Sequence, residues 1–119
     1  MTTYKNFEEL ELWKQARELV NLIYSDFRNL KDYGFKDQIS RAGISIMNNI
    51  SEGFCRGGDG EFRQFVKISK GSAGEVKNMY YIAEDQSYIS QEAAVDRRSR
   101  AQHIINSAGS FIKYLKPFK

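Results

Sequence analysis

The sole proline of the chain, Pro117, lies next to the C-terminus. Everything before it is free of the residue that most disrupts a helix, and long helices are therefore permitted throughout. Apolar residues recur at helical rather than strand spacing. In the first such segment Leu12, Ala16, Leu19, Val20, Ile23, Tyr24 and Phe27 share one face, which predicts a helix over about residues 10–30. Lys31-Asp32-Tyr33-Gly34 is expected to close it, with Gly34 in the left-handed conformation that follows many helix ends. A second stripe of Ile39, Ala42, Gly43, Ile46, Ile50 and Phe54 predicts a helix over about 36–55.

The break Arg56-Gly57-Gly58-Asp59-Gly60 separates this helix from a third. Either Gly58, which would put Glu61 at the third helical position, or Asp59, which supplies a carboxylate, can cap that helix. Phe62, Phe65, Val66, Ser69, Ala73, Val76, Met79, Tyr80 and Ala83 then hold the period over 60–85, a rod of about 39 Å. Ser90 can cap a fourth helix in which Ala94, Ala101, Ile104, Ile105, Ala108, Phe111, Ile112 and Leu115 align before Pro117 stops it. Arg97, Arg98 and Arg100 interrupt its early turns, which are expected to face solvent or a partner. Four helices with short connections favour an all-α, antiparallel up-down four-helix bundle, a single domain over residues 1–119.

Side chains for catalysis are sparse. His103 is the only histidine and has no cysteine or carboxylate at metal-ligand spacing, so a paired-histidine metal site is excluded. Cys55, the only cysteine, falls at a helix C-terminus, where the dipole disfavours a thiolate, and it leaves no internal disulfide. The loop at 56–60 lacks the preceding strand and the Gly-Lys-Ser/Thr ending of a phosphate-binding loop and reads as a capped turn. No catalytic residue, metal or cofactor is expected. The N-terminus has no signal-peptide pattern and no apolar run approaches a membrane span, which predicts a cytoplasmic protein without membrane contact.

Two stripes remain. On the second helix Arg41, Ser45, Asn48, Asn49, Glu52 and Arg56 share a face whose middle is amides and a hydroxyl. This is either a solvated face or a partly buried polar seam against the third helix or another subunit, with Ser72 and Glu75 as partners. On the third helix Arg63, Lys67, Lys70 and Lys77 place four positive charges along one edge with no acid between them. This is either a solvated edge or, with Arg41 and Arg56, a candidate track for the phosphates of RNA or DNA, in a chain of net charge +3. Gly71 and Gly74 lie mid-helix, where glycine is unfavourable, and point to a close approach of another backbone.

Asp37-Gln38-Ile39-x-Arg41-Ala42-x-x-Ser45-Ile46-x-x-Asn49-Ile50-x-Glu52-Gly53, followed by Arg56, Glu61-Phe62-x-x-Phe65 and Gly71-Ser72-x-x-Glu75, resembles the four-helix bundle family of 23S ribosomal RNA intervening-sequence proteins. Phe7-x-x-Leu10-x-Leu12-Trp13-x-x-Ala16 with Ile23-Tyr24 is similar to that family's first helix, so the likeness covers about residues 7–85. The resemblance implies a barrel-shaped homopentamer of bacterial type with a basic channel. It also implies kinship with the accessory protein of diversity-generating retroelements, which binds nucleic acid and docks on a reverse transcriptase. Two functions are thus expected to compete: nucleic-acid binding through phosphates, and a protein-interaction adaptor. The chain departs from the family pattern at Cys55, usually glycine, at Gly58, usually a hydroxyl that caps the third helix, and at Gly43, usually alanine.

Overall fold

Two side chains fix where helices begin. Asp32 Oδ1 accepts the Phe35 amide at 3.2 Å and Ser90 Oγ accepts that of Ala93 at 3.1 Å. Each thereby satisfies one of the amides that a helix start leaves without an intrahelical partner. In the computed structural model, which describes residues 4–116, these caps open the second and fourth of four long helices. They are α1 (Glu11–Asp26), α2 (Tyr33–Cys55), α3 (Asp59–Asp85) and α4 (Gln91–Tyr114), preceded by a 3-10 turn at Phe7–Glu9. Gly58 is the cap residue of α3 and Asp59 its first helical residue.

The first connection departs from expectation. α1 ends at Asp26, and Phe27 leaves helical geometry at φ −114° and ψ 15° while its ring stays in the core. The apolar pattern therefore outlasts the helix. Gly34 does not close α1 in a left-handed conformation; it is the second residue of α2, because the Asp32 cap starts that helix earlier than the apolar stripe does. Among the described residues, positive φ falls on Gly57 (89°) and Ser87 (61°). α4 stops at Tyr114 with Leu115 extended; the expected stop at Pro117 lies outside the described residues.

Short connections at 27–32, 56–58 and 86–90 make successive helices antiparallel. Each packs on the next and α4 returns to α1, with the largest contact surfaces between α2 and α3 and between α3 and α4. The core runs along the 47 Å long axis through Leu19, Ile23, Ile46, Ile50, Val66, Val76 and Ile104. Its α4 side is built partly from Ala94, Ala101 and Ala108, small residues that let α4 lie close. Gly53 serves the same end between α2 and α3: a Cβ there would fall 2.5 Å from Phe65 Cβ. At Gly43 an added Cβ would fall 2.7 Å from Ile23 Cδ1, so the larger neighbour takes up the space.

Polar groups inside the bundle are paired across helices. Ser69 Oγ, fully buried, donates to the Ile46 carbonyl at 2.9 Å. Asp26 accepts two hydrogen bonds from Arg97 and one from the Tyr80 hydroxyl, all at 2.8 Å, joining α1, α3 and α4 at one end. Burial and the adjacent carboxylate push the Tyr80 hydroxyl well above the ordinary tyrosine range. Two of the three α4 arginines thus differ from expectation, while Arg100 stays 40% exposed and pairs with Asp96 at 2.9 Å. Arg97 turns inward to Asp26, and Arg98 pairs with Glu84 at 2.8 Å while lying over the Tyr81 ring at 4.0 Å. Among the described residues no helix is long and apolar enough to cross a membrane.

Candidate nucleic-acid interface

Arg63, Lys70 and Lys77 follow one another at steps of seven residues, two helical turns or about 10.5 Å, so they share one side of α3. That side faces α4. Arg63 Nε donates to the Ile112 carbonyl at 3.1 Å and Lys77 Nζ to Gln102 Oε1 at 2.7 Å. Lys70 Nζ lies beside Gly109, 3.7 Å from where a Cβ would stand. Both hydrogen-bonded partners are neutral, so neither charge is cancelled by its contact.

The seam between the two helices opens into two shallow hollows of about 500 Å³ each. Arg63, Lys70, Gly109 and Lys113 are among the residues lining the first; Lys77, Tyr81, Arg98 and Gln102 help line the second. Asn106 lines both, so they form one groove, and no carboxylate side chain lines either. Lys67 is exposed on the outer side of the same helix. Antiparallel packing puts the last turn of α4 against the first turn of α3, and this brings Lys113 to Arg63.

The other two predicted cations stand apart. Arg41 is held by Asp37 at 2.7 Å and Arg56 by Glu52 at 3.0 Å, each four residues back on α2. Arg56 also approaches Glu61 and covers the Phe65 ring at 5.2 Å. Such pairs stabilise a helix by a few tenths of a kcal/mol and leave little net charge for a ligand. Four of the six cations therefore gather on α3, and the structure adds Lys113.

On α2, Ser45 Oγ and Ser72 Oγ meet at 2.9 Å, and Asn49 Nδ2 donates to the Ser45 carbonyl at 2.8 Å and to its hydroxyl at 3.0 Å. This part of the polar stripe is a half-buried seam against α3. Gln38 reaches Glu75 at 3.4 Å, while Asn48 and Glu52 are exposed. Gly71 and Gly74 have nothing within 4 Å of an added Cβ, so among the described residues no backbone makes the close approach expected of them. Among the described residues no three His, Cys, Asp or Glu side chains converge as a metal site.

The family description that matches residues 8–110 is "23S rRNA-intervening sequence protein". The bundle also superposes on the crystal structure of a protein of unknown function from the S23 ribosomal protein family, from Bacteroides thetaiotaomicron. The TM-score is 0.77 at 24% identity, over 86% of this chain and 98% of that one. At that identity the likeness speaks for the fold alone. No curated protein matches the chain. Neither description names a catalytic activity.

Proposed function

Because the chain belongs to the 23S rRNA-intervening sequence protein family, whose description names no activity, we propose on the geometry that it is a non-enzymatic, oligomeric bundle binding RNA or DNA through phosphates along the α3–α4 groove. The observation that supports this reading is the groove's charge: Arg63, Lys70, Lys77 and Lys113 line it without a carboxylate among them. Cations on one narrow track displace the counterions condensed on a nucleic-acid strand, and this needs no base-specific contact. With Lys67 included, five cations give a slope of log K against log salt of about −3.5 for a single strand or −4.5 for a duplex.

Fluorescence anisotropy with labelled RNA and DNA at low and moderate salt tests it. Lys67→Glu with Lys70→Glu is expected to abolish binding, whereas Arg41→Glu, already neutralised by Asp37, leaves it nearly unchanged. Failure of every nucleic acid to bind at low salt would overturn the reading.

One observation favours a second use of the same helix. Gly71 and Gly74 present open backbone on the helix that also carries Ile68, one turn before Gly71, and Ile82, about 12 Å beyond Gly74, which are 52% and 40% exposed. A sister subunit packed there would supply the close approach that the chain lacks. Light scattering would then show an assembly several times the 13.8 kDa chain, dispersed by Gly71→Lys. An adaptor for an unlike partner, such as a reverse transcriptase, would instead form a complex only on mixing.

A further inference from the structure

Phosphate contacts alone do not tell one strand from two, but the α3–α4 groove carries more than charge. Arg98 lies 4.0 Å above the Tyr81 ring, and its guanidinium is held in place by Glu84 at 2.8 Å and the Tyr80 carbonyl at 3.4 Å. Its charge is met by Glu84, so what the pair contributes is a fixed flat surface. Tyr81 nevertheless remains 50% exposed at the groove. A half-exposed ring with a guanidinium fixed against it is a candidate stacking platform, and every base has a face that fits one.

The groove centre adds hydrogen-bond donors. Lys77 Nζ donates to Gln102 Oε1, and Gln102 Nε2 donates to Asn106 Oδ1 at 2.9 Å. The relay ends at the Asn106 amide nitrogen, whose two N–H groups have no partner among the described residues. They stand where the two hollows meet, with Lys70 in one and Lys77 in the other. Such an amide can bond the Watson–Crick edge of a base only where that edge is unpaired.

Shape points the same way. A single strand laid along this narrow seam can turn its bases toward Tyr81, whereas a duplex keeps its base faces covered by stacking. The distance from Arg63 to Tyr81 along α3 is about 27 Å, room for a few nucleotides.

We infer that the groove selects single-stranded nucleic acid, with phosphates on Arg63, Lys67, Lys70, Lys77 and Lys113, one base stacked on Tyr81 and a base edge on Asn106. This rests on the phosphate-binding reading above. The test uses the full chain with mixed-sequence RNA and DNA oligonucleotides of about 15 nucleotides, each alone and annealed to its complement. Single strands are expected to bind at least about tenfold tighter than duplexes at equal salt. Tyr81→Ala is expected to weaken single-strand binding about five- to a hundredfold, with the salt slope and duplex binding unchanged. Tyr81→Phe, which keeps the ring, should retain it. Asn106→Ala should weaken single-strand binding about two- to tenfold. Equal or tighter duplex binding, or a Tyr81→Ala variant that binds like the parent, overturns this inference and leaves the phosphate reading standing. If no probe binds at low salt, both fall. RNA against DNA in the same series identifies which strand the groove prefers.

Discussion

Two glycine-to-alanine changes on neighbouring helices are expected to shift stability in opposite directions. At Gly53 an added Cβ would lie 2.5 Å from Phe65 Cβ, 3.0 Å from Phe62 Cδ1 and 3.1 Å from Phe65 Cγ. Phe65 Cβ is fixed to the α3 backbone, so the conflict cannot be relieved by a rotamer change; the helices must separate. Overpacking of this kind costs up to about 3 kcal/mol, offset by about 1 kcal/mol of improved helix propensity. Gly53→Ala should therefore destabilise by about 2 kcal/mol. At Gly71 an added Cβ meets nothing within 4 Å, so the propensity gain stands alone and Gly71→Ala should stabilise the bundle by about 0.5–1 kcal/mol. The difference of about 3 kcal/mol between the variants is readable in urea unfolding followed by circular dichroism, with m-values unchanged. A neutral or stabilising Gly53→Ala would refute the close packing of α2 on α3. A destabilising Gly71→Ala at a concentration where light scattering shows a monomer would refute open space at that face; in an assembly it would report a sister subunit packed there.

Further outcomes follow from the polar contacts. Asp26→Asn leaves Arg97 without its main counter-charge at a site where the side chains are 9% and 17% exposed; it should cost about 3 kcal/mol and lower the melting temperature by roughly 10 °C, and a change under about 1 kcal/mol would contradict the buried role. The Asp32 carboxyl is held below the usual carboxylate range by the Tyr88 hydroxyl and then the Phe35 amide, and the Asp96 carboxyl by Arg100 and then Arg97. Their native pKa values lie below the unfolded ones, so their contribution is complete above the unfolded value of about 3.9 and is lost as pH falls through the native values. Thermal melts should show little dependence from these groups above about pH 5 and falling stability below about pH 4, less steeply in Tyr88→Phe; stability that rises on acidification would contradict the sign.

The bundle was legible because its apolar residues keep one helical face over four segments and its breaks carry turn or capping residues such as Asp32, Gly57 and Ser90. The end of α1 was not, because Phe27 continues the apolar pattern after its backbone has left the helix. The inward turn of Arg97 and Arg98 also escaped, since their partners Asp26 and Glu84 sit on other helices. Of the groove, Arg63, Lys70 and Lys77 could be read as one edge from their spacing alone. Lys113, Asn106 and Tyr81 join them only once α4 is laid against α3, although antiparallel order already pairs the end of one with the start of the other. The acids that neutralise Arg41 and Arg56 were in plain sight four residues back, a local pattern that charge counting along a face passes over.

Lysine protection tests the phosphate track most directly, because it reads position as well as affinity and does not depend on the size of the assembly. The protein is treated with an acetylating reagent at low salt, free and with a saturating single-stranded oligonucleotide, and modification at each lysine is compared by mass spectrometry. Lys67, Lys70, Lys77 and Lys113 are expected to be protected, with Lys14 and Lys31, exposed on or beside α1, reacting as in the free protein. Protection of Lys14 and Lys31 with Lys67, Lys70, Lys77 and Lys113 unchanged would contradict the phosphate track.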